Sequence, residues 1–140
     1  MTNPKFLLSK IDAFIFDFDG VLTNNLVHLD QDGKETVSCN RADGLAFDVL
    51  RKLKKSSYII STEKNSVVTA RANKLKITAL QGVGDKVKQI KKLALKECFD
   101  LQNILYVGND LNDYRVMKLC GYTACPSDSH EEIRGFATVI

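Results

Sequence analysis

The sequence predicts an α/β fold: a doubly wound, mostly parallel sheet with helices on both faces and a β-hairpin inserted after the first strand. Three observations predict it. Short apolar runs alternate with helical periodicity along the chain, the pattern of repeated β–α units. The strand runs, such as Ile11 to Phe16, are continuously apolar, as strands buried on both faces are. Polar and charged residues gather directly after those runs, where ligands bind in open parallel sheets.

The elements come in this order. Ile11 to Phe16 is a strand rich in Ile and Phe. Leu26 to Leu29 and Glu35 to Cys39 flank Asp30-Gln-Asp-Gly33, which reads as a hairpin with a four-residue turn, spanning about 26–39. Asp43 is placed to N-cap a helix through Lys54, with Leu45, Ala46, Val49, Leu50 and Leu53 on one face. Tyr58 to Ile60 is the next strand, followed by a helix from about Ser66 to Leu75. Ile77 to Leu80 is a strand, and Asp85 to about Glu97 a lysine-rich helix. Asn103 to Val107 is a strand and Asn112 to Leu119 a helix, which Gly121 stops. Gly121 to Ala124, Ser129 to Arg134 and Ala137 to Ile140 read as a strand, a short helix and a last strand. The chain carries no repeat, low-complexity tract or linker, so residues 1–140 read as one domain. The hairpin is the one insertion, either a simple lid or an oligomer contact, since a lone hairpin is only marginally stable in water.

Hydrophobic residues make up 44% of the 140 and charged residues 26%, the balance of a globular chain with a real core. No apolar stretch approaches the ~20 residues of a membrane span, and Met1 to Leu8 is too short for a secretory apolar region. The expectation is a cytoplasmic protein without membrane contact. The net charge of +3 is a mild excess. Lys52, Lys54, Lys55, Lys88, Lys91, Lys92 and Lys96 read as solvated helix faces. No aromatic residues interleave with them, so nucleic acid is not the expected partner. The four cysteines, Cys39, Cys98, Cys120 and Cys125, lack the two-residue spacing of metal or redox motifs and read as reduced and structural. His28 and His130 are isolated.

Four strand-end loops carry the chemistry. They are Asp17-Phe-Asp-Gly-Val-Leu-Thr23, Ser61-Thr-Glu-Lys-Asn65, Gly82-Val-Gly-Asp-Lys86 and Gly108-Asn-Asp-Leu-Asn-Asp113. This set suits phosphoryl transfer. Asp17, at the end of a buried strand, is placed as a nucleophile that forms an aspartyl-phosphate. Asp19 lies beyond the strand, where it can protonate the leaving alcohol and then deprotonate the attacking water. Several carboxylates beside a phosphate require a cation, and oxygen ligands suit Mg2+. Ser61 can donate to a phosphate oxygen, Lys86 can pair with both phosphate and Asp17, and Gly20 lets the chain turn away after the two aspartates. Each loop alone has a plain reading as a turn or a helix cap; the four in this order are the signal.

In these motifs the chain resembles the haloacid dehalogenase (HAD) superfamily of phosphatases, from about Asp12 to Thr138. Phe16-Asp-Phe-Asp-Gly-Val-Leu-Thr23 resembles the first motif, Ser61 stands at the second-motif hydroxyl, Lys86 at the third-motif lysine and Gly108–Asp113 at the fourth. The hairpin, Asn40-Arg-Ala-Asp-Gly44, Gln81-Gly-Val-Gly-Asp-Lys86 and Tyr106-Val-Gly-Asn-Asp-Leu-Asn-Asp113 are similar to the small capless branch. That branch contains 3-deoxy-D-manno-octulosonate 8-phosphate phosphatases, nonulosonate 9-phosphate phosphatases and the phosphatase-like domain of some acylneuraminate cytidylyltransferases. Ser61-Thr-Glu-Lys-Asn65 is more similar to the nonulosonate side.

The resemblance implies a Rossmann-like HAD core and a Mg2+-dependent phosphatase of a phosphorylated sugar acid, in lipopolysaccharide or sialic acid biosynthesis. It also implies a homotetramer built through the hairpin, with a neighbour completing each site. Arg41, Asp43, Thr62, Glu63, Lys64 and Arg71 become substrate contacts by the same resemblance; capping and surface pairing are their plain alternatives. Asp17, Asp19, Asn109 and Asp110 become the metal set. The octulosonate phosphatases usually carry Asp where this chain has Asn109. An amide oxygen there can bind the cation with one less negative charge, Asp110 can swing in, or Asp113 can support the metal indirectly. Relatives continue past the position of Ile140 with a Gly-rich tail that reaches a neighbour's site. The alternative to an enzyme is a HAD-fold module kept for oligomerisation or for assisting a cytidylyltransferase. A response-regulator receiver is disfavoured because its phosphorylated Asp comes after a middle strand, whereas the middle strand here is read as ending in Ser61-Thr62.

Overall fold

The computed structural model describes residues 7–140. A five-stranded sheet runs through it, built from β1 (Ala13–Phe16), β4 (Ser56–Ile60), β5 (Thr78–Leu80), β6 (Ile104–Val107) and β7 (Tyr122–Ala124), in the order β5-β4-β1-β6-β7. Every pair is parallel. Helices α1 (Ala42–Lys52), α2 (Val67–Leu75), α3 (Lys86–Glu97), α4 (Leu111–Leu119) and α5 (Glu131–Arg134) connect or succeed these strands. β2 (His28–Leu29) and β3 (Glu35–Thr36) form a separate antiparallel pair between β1 and α1.

The core has two sides. Ile15, Ile60, Ile104 and Tyr106 meet Ile90, Leu93, Val116 and Met117 of α3 and α4. Ile59 meets Phe47 of α1 and Val68, Ala72 and Leu75 of α2 on the other side. β1 is the centre of the sheet, and its residues Ala13 and Ile15 are fully buried. The strand that ends in Asp17 is thus itself the middle one, so strand position does not separate this chain from a receiver.

Several boundaries differ from the sequence reading for physical reasons. The hairpin turn is as expected: Gly33 has φ +80°, and Asp30 Oδ1 accepts from the Asp32 and Lys34 amides, each at 2.9 Å. Its strands are only two residues each, because a ribbon with no third strand has nothing to pair against. Asp43 does not N-cap α1. It lies inside the first turn; the N-cap is Arg41, which makes no side-chain capping bond, and just ahead of it Asn40 Oδ1 accepts from Ala42 N at 2.9 Å. The predicted face of α1 is also reversed in part. Phe47 and Leu50 pack inward, while Leu45, Ala46, Val49 and Leu53 are exposed. Apolar residues surround most of this helix, so periodicity alone cannot say which side is buried. Gly121 acts through close approach rather than a left-handed turn, since a Cβ there would lie 1.8 Å from the Gln102 carbonyl oxygen. The last strand is reduced to one parallel bridge, Val139 to Ala124. Among the described residues no helix is long and apolar enough to cross a membrane.

Candidate active site

Sheet register assembles the site. Phe16 lies opposite Ile59 on one neighbour and opposite Val107 on the other. One step further, the chain leaves all three strands at the same rim. Asp17 and Phe18 come after β1, Ser61 after β4, and Gly108-Asn109 after β6. Lys86 is the first residue of α3, whose N-cap Asp85 accepts from Lys88 N at 3.0 Å.

At this rim Lys86 Nζ donates to Asp17 Oδ1 at 2.8 Å and to Asp113 Oδ1 at 2.7 Å. All three side chains are buried. Asp113 is the hub of the network: Tyr106 OH donates to its Oδ1 at 3.1 Å, and Asn109 N donates to its Oδ2 at 3.1 Å. Burial pushes Asp17 up to about 7, the charge of Asp113 adds to this, and Lys86 opposes it. Burial alone would lower Lys86, but Asp17 and Asp113 more than offset it and the net shift is upward. Burial raises Asp19, as does the charge of Glu63, with Lys86 opposing. A carboxyl that holds its proton more firmly than usual suits a group that must donate it.

The Asn109 amide lies 3.0 Å from the Asp19 carbonyl oxygen and 3.2 Å from Asp17 Oδ2. Turned one way, its nitrogen donates to both. Turned the other way, its oxygen makes a third acceptor facing one point, an arrangement that a cation stabilises. Among the described residues no cluster of three or more His, Cys, Asp or Glu side chains surrounds a metal position. The oxygen set here draws instead on one carboxylate, one amide and one main-chain carbonyl. Asp19 thus faces this point with its carbonyl. Asp110 is the N-cap of α4 and accepts from Leu111 N at 2.7 Å, although it also lines the same small cavity of about 90 Å³.

Ser61 is buried, and its Oγ accepts from Glu63 N at 3.1 Å, which shapes the loop after β4. Thr62 lines the small cavity. Glu63 accepts from Asn65 N at 2.8 Å. Lys64 is exposed and lines neither cavity. Arg41 and Asp43 line a larger cavity of about 570 Å³, together with Thr23, Asn24, Cys39 and Asn40. Arg71 does not line it. Its Nη2 donates to the Asn40 carbonyl at 2.8 Å, tying the wall of that cavity to α2. Sequence reading passes over Tyr106; its one signal is a phenol within an otherwise apolar strand.

Residues 45–140 match the pattern of the haloacid dehalogenase-like hydrolases. The 3-deoxy-D-manno-octulosonate 8-phosphate phosphatase of Escherichia coli (strain K12) is 32% identical over 122 residues, covering 86% of this chain. The chain spans 65% of the length of that relative. Among solved structures, a protein assigned to the HAD hydrolases from Streptomyces avermitilis MA-4680 superposes with a TM-score of 0.90 at 41% identity. It covers 94% of this chain and 75% of its own. The 3-deoxy-D-manno-octulosonate 8-phosphate phosphatase of Moraxella catarrhalis, crystallised with a magnesium ion, a phosphate ion and a KDO molecule, gives a TM-score of 0.88. It is 27% identical, covering 94% of this chain and 76% of its own. With its parallel sheet, its Asp17–Lys86–Asp113 network and its match over most of its length, the chain belongs to the haloacid dehalogenase-like hydrolase family.

Proposed function

We propose that this chain is a magnesium-dependent phosphomonoesterase acting on a phosphorylated keto-sugar acid, an octulosonate or nonulosonate phosphate. The observation that carries the reading is the buried Asp17 held by Lys86 at 2.8 Å at the rim of the sheet. The names of the relatives support the substrate class.

Asp17 Oδ2, Asn109 Oδ1 and the Asp19 carbonyl would hold the cation, with Asp110 at the edge of the same cavity. Magnesium bound there would offset the charge between the carboxylates and an incoming phosphate and keep Asp17 ionised. An Asp17 carboxylate oxygen attacks phosphorus, the bond from phosphorus to the sugar oxygen breaks, and Asp19 gives its proton to that oxygen. Asp19, now ionised, takes a proton from water as the water attacks the aspartyl-phosphate. Phosphate leaves, and Asp17 and Asp19 return to their starting states. Lys86 holds Asp17 in one orientation and balances charge throughout. In this reading Ser61 and Thr62 donate to phosphate oxygens, and Arg41, Asp43, Glu63, Lys64 and Arg71 contact the sugar acid directly or through the loops they hold.

A homotetramer accompanies this reading. Leu26, Val27 and Leu29 on the hairpin and Leu45 and Val49 on α1 are all more than half exposed, at 54–70%. Large apolar side chains in such numbers suit burial against other copies. The test of function is phosphate release from a panel of phosphorylated keto-sugar acids and simple sugar phosphates, with magnesium and with chelator. Release that needs magnesium and disappears in Asp17→Asn is expected. No release from any substrate by the wild-type chain would turn the assignment to a fold kept for assembly.

A further inference from the structure

We infer that Asn109 plays two parts at one point: its side-chain oxygen is a neutral ligand for the divalent cation, and its nitrogen takes the cation's place when the cation is absent. The inference rests on the magnesium-dependent reading above and concerns what the protein does between metal-bound and metal-free states.

Three features carry it. First, the amide reaches the Asp19 carbonyl and Asp17 Oδ2 at 3.0 and 3.2 Å, hydrogen-bonding distances for a donor. Second, its main chain is fixed at both ends. Asn109 N donates to Asp113 Oδ2 at 3.1 Å, and Asn109 O accepts from His130 N at 2.9 Å. Exchanging oxygen for nitrogen therefore needs only a half-turn of the terminal amide, with no loop movement. Third, Asn109 is buried and packs against a residue with no side chain. A Cβ on Gly20 would come within 2.0 Å of the amide. The small cavity that Asp17, Asp19 and Asn109 line has room for water, so the amide nitrogen competes with water for the two oxygens and holds them without ordering a solvent molecule.

A carboxylate cannot do this. Ionised, it has only acceptors, and three oxygens would face one another whenever the metal left. Asn109 gives up one unit of attraction for the cation, and the metal-free site in return is internally hydrogen-bonded. Binding the cation then means breaking two hydrogen bonds.

The test compares the wild type with Asn109→Asp in calorimetric magnesium titration and in thermal unfolding with chelator or magnesium. The variant is expected to bind magnesium about tenfold more tightly or better, since ligand charge sets affinity at oxygen sites. It should also melt below the wild type in chelator and gain more from magnesium. In wild-type protein labelled with 15N-asparagine, the Asn109 side-chain amide signals should shift and exchange faster as magnesium is added. Equal magnesium affinity and equal melting in chelator for the two proteins would overturn the inference and leave the magnesium reading intact. Should the variant fail to fold, an Asn109 amide whose exchange ignores magnesium would overturn it alone. Absence of magnesium binding by the wild type would overturn the reading beneath it as well.

Discussion

Asp113 Oδ1 accepts from Lys86 Nζ at 2.7 Å, with the side chains 0% and 3% exposed. The same ammonium reaches Asp17 at 2.8 Å. One lysine therefore serves two buried carboxylates, and Tyr106 and the Asn109 main chain take up further lone pairs of Asp113. The arrangement orients the proposed nucleophile, and it makes the site sensitive to loss of any charge.

Lys86→Met should abolish phosphate release and also destabilise the fold. Breaking a buried ion pair by removing one partner typically costs ~3–5 kcal/mol. Urea unfolding at pH 8 should show a loss of that order. The loss should be smaller at pH 5, where Asp17 can take up a proton.

Metal-free protein should lose stability as pH rises. Asp17 sits at about 7 in the fold against 3.8 in the unfolded chain, so the folded state binds more protons between those values. The contribution is complete below about pH 4 and is gone once pH passes about 7. Urea midpoints in chelator across this range should fall with pH, and Asp17→Asn should flatten the slope. For the same reason magnesium should bind more weakly at pH 6 than at pH 8, because Asp17 must release its proton first.

Gly20→Ala should harm the site more than the fold. Gly20 has φ +81°, and the new Cβ would meet the Asn109 amide at 2.0 Å. The left-handed backbone costs about 1–2 kcal/mol. Displacing Asn109 by ~1 Å should lower kcat/KM for phosphate release by ~10²-fold, while calorimetry still shows one cooperative transition.

Arg71→Met should raise KM more than it lowers kcat. It removes the hydrogen bond from Arg71 to the Asn40 carbonyl and frees the wall that carries Arg41 and Asp43. Steady-state kinetics on the preferred sugar-acid phosphate measure the split. Equal KM values would place Arg71 outside substrate recognition.

Leu29→Glu combined with Val27→Glu should convert an assembly into monomers. Both side chains are more than half exposed on the hairpin, so the change leaves the core untouched. Sedimentation velocity on wild type and variant reads the outcome directly. A monomeric wild type would remove the tetramer from the proposal.

Much of the site is legible because it lies in four short stretches, each beside a strand whose apolar run marks it. Asp17, Ser61, Lys86 and Asn109 stand out once the polar residues bordering each strand's carboxyl end are compared. Asp113 reads only as an indirect support for the metal, and Tyr106 reads as one more strand residue. Their roles depend on a helix turn that brings Asp113 to Lys86, 27 residues away in the chain, and on the Tyr106 hydroxyl reaching Asp113 from the strand. The start of α1 reads as a cap on Asp43 because Asp caps well, whereas the helix begins two residues earlier with Arg41 as its N-cap and no side-chain capping bond, a boundary that only backbone geometry sets.

By itself the sequence determined the order of the main elements and the residues that end the five strands of the sheet, because apolar periodicity and turn chemistry act over a few neighbouring residues. Only the tertiary structure decided that β1 is central, that Phe47 rather than Leu45 turns inward, and that the Asp19 carbonyl faces the Asn109 amide. Those outcomes depend on packing between segments far apart in the chain, where several arrangements satisfy the local pattern and one fills the core.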